Sequence, residues 1–592
     1  MNQTLLGMVC AVAFAQSGSR DNDKPSPVAR NVVIIMTDDQ GFGDLGCKGN
    51  PVLRTPNIDR LAAQSAEMTH FYVSPVCTPT RAALMTGRHA QRTHAIDTWI
   101  GRAMLEPEEV TLAEMLLGAG FATGIFGKWH LGDCAPMTPN DQGFEYALVH
   151  RGGGIGQPAD PPGGEGKYTD PVLFENGERR EMTGYCTDIY FDRAIEWMGD
   201  QHDAGRRFFT YVPTNAPHGP FGDVPQNLYE YYKTLDLSPS AFPQGPGFPM
   251  PDTWNEDTLA RIYAMVENID QNIGRLIESL DEMGILDDTL VIYLHDNGQN
   301  TRRFVTGFKG MKGTVYEGGV RTPFFVRWPR AIPAGHTSDV IAAHYDIAPT
   351  VLEACGVSTP HGSALDGRSL MPLLRGGDLP DGAWAKREIV LQAHRGNHPV
   401  RYHNMMIRDD RWKLLNASGF GREVLGVKPR FELYDMHSDP FEQRDAAAEH
   451  PEIVAQLRAA YDAWFEEVGA DDPANYRPIP IDVGGERSRR VVLTRQDWRP
   501  GPEEREWGRQ GVWHLNVVEA GRYEVLIRTQ KDAVSAGIFM PDGTLIYTRE
   551  AHAQREFVLA GVDLARGAFI LRTEVREGDE TVGAYQVVIR RE

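Results

Sequence analysis

Asn31-Val32-Val33-Ile34-Ile35-Met36-Thr37-Asp38-Asp39 decides the fold of this chain. The run from Asn31 to Met36 is apolar and mostly β-branched, with no polar alternation, and so reads as a strand buried on both faces. Two carboxylates follow it at once. From there the chain alternates short β-branched runs with helical spacing. That alternation predicts an α/β fold: a mostly parallel central sheet flanked by helices on both faces. The clearest helix spans 258–284, where Leu259, Ile262, Tyr263, Val266, Ile269, Ile273, Leu276, Ile277 and Leu280 keep to one apolar face. The strand Asp288 to Leu294 follows directly.

Working outward from this body, which is placed at 30–384, the pattern changes twice. Residues 385–470 read as a small α+β C-terminal subdomain, with strands around Trp412-Lys413-Leu414-Leu415 and Phe431-Glu432-Leu433-Tyr434 and a helix from Ile453 to Val468. Asp471 to Gly485, rich in Pro and Gly, is the expected linker. Beyond it, 486–592 is wholly β: Tyr523, Val525 and Ile527 alternate with polar neighbours, Pro541-Asp542-Gly543 signals a turn, and Tyr585 to Ile589 closes the chain. An additional all-β C-terminal domain, a β-sandwich, is expected there. Gly152 to Gly166 and Pro239 to Pro251 read as surface loops.

Composition narrows the function. At 592 residues and 41% apolar content the chain has an ordinary globular make-up, large enough for two or three domains. Acidic residues outnumber basic ones by 81 − 60 = 21, which argues against a nucleic-acid or anionic-membrane surface. An anionic small-molecule substrate is still allowed, because screening over about 10 Å lets a local basic pocket prevail. Leu5 to Ala15 ends in Ala13-Phe14-Ala15 and reads as a signal peptide over 1–15, although no Lys or Arg precedes the apolar run. Export to a secreted or periplasmic location follows from it. No later segment has the roughly 20 apolar residues of a membrane span. Cys47, Cys134, Cys186 and Cys355 have no spacing that dictates disulfides, and buried free thiols are the plainer reading.

In open α/β sheets ligands bind beyond the carboxyl ends of strands. Polar residues gather at four such ends: Asp38-Asp39, Gly127-Lys128-Trp129-His130, His218, and His295-Asp296-Asn297-Gly298. Asp38, Asp39, Asp296 and Asn297 supply three carboxylates and an amide oxygen, a hard-oxygen set suited to Ca²⁺ or Mg²⁺ rather than Zn²⁺. Any one of them alone is more often a cap or turn residue, but adjacent carboxylates repel unless a cation intervenes.

Cys77-Thr78-Pro79-Thr80-Arg81 has the C-x-P-x-R form in which a cysteine is oxidised to formylglycine. Pro79 fits the first turn of a helix through Ala82-Ala83-Leu84-Met85, whose start would present N–H groups and positive dipole to an anion. A cysteine outside such a setting is usually a small buried hydrophobe.

Together these segments give the chain a resemblance to the formylglycine-dependent, arylsulfatase-like sulfatases of the alkaline-phosphatase superfamily. Carrying it are Thr37 to Gly46, Cys77 to Arg88, Gly127 to Gly132, Asn215-Ala216-Pro217-His218, Asp296-Asn297-Gly298, Lys312 to Arg321, Leu365 to Leu370 and Glu432 to Asp435. The resemblance covers about residues 30–470 and implies the following. A divalent metal, usually Ca²⁺, is held by Asp38, Asp39, Asp296 and Asn297 and touches the nucleophile at Cys77. That cysteine is converted to formylglycine (3-oxoalanine) by a formylglycine-generating enzyme. One hydroxyl of the hydrated aldehyde attacks sulfur, with Arg81 holding the nucleophile and Asp296 as candidate base. Lys128, His218 and Lys312 bind sulfate oxygens, His218 or Lys312 protonates the leaving alcohol, and His130 deprotonates the second hydroxyl to release sulfate. His295, Arg88 and His150 receive no role, and the Gly152-Gly153-Gly154 neighbourhood lacks a polar sulfate ligand that some relatives have. The implied substrate is a sulfated small molecule or glycan. Phosphonate or phosphate ester hydrolysis, and an inactive glycan-binding relative, are the competing readings.

Overall fold

The computed structural model describes residues 27–160, 166–359, 364–376, 384, 387–421, 426–500, 509–540 and 543–592. The expected signal peptide and Pro541-Asp542 of the expected turn lie outside these residues.

Asn31–Thr37 is a strand in which every residue is buried. It runs parallel to Phe208–Pro213 on one side and Thr289–His295 on the other, and Ala122–Lys128 and Tyr146–His150 extend the parallel set. Antiparallel strands finish the ten-stranded sheet at both flanks, among them Phe324–Arg327 against Thr289–His295 and Val172–Glu175 against Tyr146–His150. The pleat of the first strand explains the two layers. Val32, Ile34 and Met36 enter a core closed by helices Cys77–Thr86, Leu112–Gly118 and Ile347–Cys355. Val33 and Ile35 face the opposite core, closed by Pro56–Ala63, Cys186–Asp203 and Glu256–Glu282. The last of these is the helix expected at 258–284, and the Asn255 side chain accepts from the Thr258 N–H at its start.

The α+β subdomain is a four-stranded antiparallel sheet of Ile389–Gln392, Met405–Arg408, Trp412–Asn416 and Glu432–Asp435. Val390, Ile407, Leu414 and Leu433 meet the helix Pro451–Glu467. Leu391, Met406, Leu415 and Tyr434 pack instead on Tyr72, Ala83 and Val320 of the main body. Lys413 interrupts this apolar register. Its Nζ, fully buried, lies 2.8 Å from both Glu317 Oε1 and Glu442 Oε1.

The C-terminal strands are all β, as expected. They form one nine-stranded sheet folded over a single core. Gly521–Phe539 makes the fold possible: residues 523–528 pair with Gln586–Arg591, whereas 535–539 pair with Gly567–Glu577. Register shifts between Arg528 and Ser535 let it turn from one half to the other. The expected linker also carries structure. Ile481–Val483 is a strand parallel to Gly511–Val517, and Asp482 N–H donates to the Ala135 carbonyl at 2.9 Å. Met104, Cys134 and Met137 of the main body belong to the same core cluster as Trp498 and Trp513. This sheet is therefore packed into the main body rather than tethered to it.

Candidate active site at the carboxyl ends of the strands

Register brings the sequence-predicted residues to one end of the sheet. Thr37 stands opposite His295 and Met36 opposite Pro213, so the segments that follow, bearing Asp38, Asp296 and His218, emerge side by side. Lys128 is the last residue of its strand. Gly127 just before it cannot be replaced, because a Cβ there would lie 1.8 Å from the Pro213 carbonyl oxygen. Two residues turn sharply as they leave their strands: Asp39 at φ 61° and His130 at φ 57° occupy the left-handed region. For non-glycine residues that costs on the order of 1–3 kcal/mol, a strain concentrated at functional sites.

Cys77 begins the helix Cys77–Thr86, every residue of which is buried. Its N-terminus has no side-chain cap, which leaves the first-turn N–H groups facing the site. Arg81, one turn in, is pinned by three groups: NH1 donates to the Lys128 carbonyl at 2.8 Å, and NH2 lies 2.8 Å from Asp296 Oδ2 and 3.8 Å from Asp38 Oδ2. Lys128 Nζ contacts Asp38 Oδ2, and Lys312 Nζ lies 2.6 Å from Asp39 Oδ1. His218 Nε2 is 3.6 Å from Asp39 Oδ2, its Nδ1 turned to the Gly219 carbonyl at 2.7 Å.

The oxygens are not equally engaged. Asp38, Asp39 and Cys77 bring one potential ligand atom each within 4.8 Å of one another. Asp38 Oδ1, Asp39 Oδ2 and Asn297 Oδ1 are buried and have no hydrogen-bond partner, while the Asn297 amide donates to Asp39 Oδ1 at 2.8 Å. Buried carboxylate oxygens left bare are costly, and a hard divalent cation fits such a set. Asp296 differs, for its Oδ2 meets Arg81 and its Oδ1 accepts the Asp39 N–H at 3.2 Å. Burial and the neighbouring Asp38 push the Asp296 carboxyl up to about 6. Burial likewise pushes the Cys77 thiol up, so an unmodified cysteine here is a weak nucleophile. Burial and the Lys128 and Arg81 charges hold His130 well below its ordinary value, and burial lowers His218 to about 4 despite Asp39.

Other residues fall outside the cluster. His295 meets Tyr293 OH at 3.1 Å, His150 meets Asp160 at 3.2 Å, and Arg88 pairs with Glu109 at 2.6 Å. Cys47, Cys134, Cys186 and Cys355 are free thiols.

Two features carried no readable signal. Gly152 to Ile155, expected on the surface, is buried. A Cβ on Gly153 would lie 2.8 Å from His130 Nε2, and one on Gly154 2.8 Å from His218 Cε1, so this turn wedges between the two histidines because it has no side chains. Arg303 is the other: it grips Asp44 and donates from NH2 to the Asp39 carbonyl at 2.9 Å, bracing the carboxylate turn.

Known proteins share this chain's sequence and architecture. The family model described as Sulfatase matches residues 30–357, and that described as N-sulphoglucosamine sulphohydrolase, C-terminal, matches 310–464. The chain is similar to the steryl-sulfatase of Mus musculus, 31% identical over 486 residues, 70% of this chain and 72% of that protein. It is similar to the N-acetylglucosamine-6-O-sulfatase of Bacteroides thetaiotaomicron, 25% identical over 548 residues, 79% of this chain and 92% of the other. A solved structure of a protein in complex with its substrate D-glucosamine-2-N,6-O-disulfate shares the fold at TM-score 0.59 and 23% identity, covering 75% of this chain and 99% of that one. A divalent metal and formylglycine are implied by such a family. With the family model matched over more than half its length, the chain belongs to the sulfatase family and is a sulfuric ester hydrolase.

Proposed function

We propose that this sulfatase hydrolyses sulfate monoesters of a sulfated carbohydrate, using formylglycine made from Cys77 and a divalent metal, Ca²⁺ in preference to Mg²⁺. The observation that carries the reading is the set of bare buried oxygens on Asp38, Asp39 and Asn297, gathered about the start of the Cys77 helix with Lys128 and Lys312 beside them. Asp38, Asp39, Cys77, Asp296 and Asn297 would hold the metal, which supplies positive charge and Lewis acidity at the sulfur centre. An irregular oxygen set suits Ca²⁺ better than octahedral Mg²⁺. The charges favour an anion: three carboxylates offset Arg81, Lys128 and Lys312, so a divalent cation leaves the pocket positive toward a sulfate ester.

Within this pocket the chain's own residues divide the work. Arg81 fixes the helix start, and with it position 77, against the Lys128 carbonyl and Asp296. Lys128, Lys312 and His218 orient the sulfate oxygens. The Asp39 charge works with the site's other anions to keep Lys312 protonated despite burial, so Lys312, with His218, supplies the proton the leaving alcohol needs. His130 then takes a proton from the hydroxyl at position 77 as sulfate departs.

The glycan assignment draws on the similarity to the N-acetylglucosamine-6-O-sulfatase and on the disulfated glucosamine bound by the structural neighbour. Catalysis is assigned to residues 30–384 with the 385–470 subdomain, the 486–592 domain being accessory. A secreted or periplasmic location fits the Leu5 to Ala15 segment, and maturation requires a formylglycine-generating enzyme. Among the described residues no helix is long and apolar enough to cross a membrane. The test compares the formylglycine-bearing enzyme on matched aryl sulfate and aryl phosphate, then on sulfated oligosaccharides with released-sulfate detection. A phosphate preference of orders of magnitude would overturn the sulfatase reading in favour of a phosphonate or phosphate ester hydrolase, and turnover of neither would leave a glycan-binding relative.

A further inference from the structure

The C-terminal β region reaches the site itself. Its loop at 494–499 is stitched to the loop at 97–102: Gly101 N–H donates to the Gln496 carbonyl at 2.9 Å, and Trp99 Nε1 donates to the Arg495 carbonyl at 2.9 Å. At the centre of this seam is the Thr98 carbonyl oxygen. His130 Nε2 lies 2.9 Å from it, and Gln496 Nε2 lies 2.9 Å from the same atom. The two nitrogens stand 3.4 Å apart, a longer approach than either makes to the carbonyl oxygen they share. Gln496 is 3% exposed and His130 is 1% exposed, so water does not compete at this point.

A carbonyl oxygen only accepts, so His130 carries its proton on Nε2. Its Nδ1 is then the basic nitrogen, and it is buried with no hydrogen-bond partner. We infer that Gln496 is a positioning residue for His130: by donating to the Thr98 carbonyl it holds that oxygen against His130 Nε2, where the carbonyl selects the Nε2–H tautomer and leaves Nδ1 free to accept the proton released at position 77. This rests on His130 acting as the base proposed above. Neither family model extends past residue 464, so this contact comes from a part of the chain that the shared sulfatase body does not include.

The test uses the full-length, metal-loaded, formylglycine-bearing enzyme and a small aryl sulfate, for which a polymer-binding role of the β region is irrelevant. Gln496→Met keeps the volume and removes the amide. Its kcat should fall about 10- to 100-fold, the scale of misplacing one catalytic group, with KM and melting temperature unchanged. In the His130→Ala background the same substitution should add no further loss. Nitrogen-15 NMR of selectively labelled histidine should report His130 as Nε2–H in the native protein and as a mixture of tautomers in Gln496→Met. Should that variant melt early, the tautomer measurement on Gln496→Ala at low temperature decides in its place. An inactive His130→Ala beside a Gln496→Met enzyme of native kcat and native tautomer would overturn this inference alone. A fully active His130→Ala would overturn the role of His130 itself.

Discussion

Replacing Lys413 by Met tests how the α+β subdomain is held to the main body. Lys413 Nζ sits 2.8 Å from Glu317 Oε1 and 2.8 Å from Glu442 Oε1, with no solvent at any of the three side chains. Glu442 also accepts the Glu317 N–H at 2.8 Å, so without the lysine the two carboxylates remain face to face. Methionine keeps the stem and deletes the charge. Removing one partner of a buried ion pair costs about 3–5 kcal/mol, because the other charge stays buried and uncompensated. At about 2.1 cal/mol/K of unfolding entropy per residue, a body of roughly 440 residues unfolds with about 0.9 kcal/mol/K, so the melting midpoint should drop by about 3–5 °C. The loss should also depend on pH. Burial and the Glu317 charge push Glu442 up to about 7 even with Lys413 present. For Glu317, burial opposes ionisation, but the cations of Lys413, Arg321 and Arg408 hold it near 2. Without Lys413 both carboxyls move up, so the native state binds protons that the unfolded state, titrating near 4.5, does not. Stability gained this way is full below about 4.5 and is lost as pH rises through the raised folded value. The deficit of Lys413→Met should therefore be larger at pH 8 than at pH 5.5 in thermal or denaturant unfolding. A variant within 1 kcal/mol of native at pH 8, or one whose deficit grows on acidification, would refute this account.

Three further outcomes are expected. Cys77→Ala should abolish turnover of an aryl sulfate with a native circular-dichroism spectrum and melting curve, since Ala fits the helix start; measurable turnover would remove position 77 from the chemistry. Asp39→Asn and treatment with a chelator should each cost at least about 100-fold in activity if the bare oxygens hold a metal. Elemental analysis should show the stoichiometric metal lost in the variant, and full activity in a metal-free preparation would dispose of the site. Ending the chain at residue 470 should give an aggregating protein rather than a small-substrate sulfatase, because it strips cover from Met104, Cys134 and Met137; a soluble, monomeric, active truncation would contradict the shared core.

Much of this was legible where side chains speak for themselves. Val32 to Met36 is apolar without alternation because both faces of its strand are covered, and polar groups gather just past the strand ends because the two cores leave no place for them between the layers. Partnerships formed across long sequence distances were less legible. Lys413 passed unremarked within the strand Trp412-Lys413-Leu414-Leu415, because its carboxylates stand 96 residues back, at Glu317, and on a turn at Glu442. Gln496 meets His130 across 366 residues, with nothing local to mark it. Gly152 to Ile155 misled for a physical reason, since glycine runs signal loops and only tertiary packing shows that the missing Cβ atoms make room for two histidines. The short strand within the expected linker was hidden for a related reason, because a Pro-rich segment can lie at a sheet edge where one short strand needs few of its own donors.

The burial of the Cys77 helix has a consequence in time. Cys77 is 2% exposed, and the residues that close over it include Asp296, which accepts from Arg81, and Lys312 further on. Any catalyst that oxidises this cysteine must act before those residues are in place. The stretch from 77 to 296 is 219 residues, which at about 5–20 residues per second of synthesis leaves about 10–45 s. On the formylglycine chemistry proposed above, maturation becomes a race between oxidation of Cys77 and the arrival of the segment bearing Asp296, and slower elongation or delayed folding should raise the fraction of active molecules without altering a single contact in the finished protein.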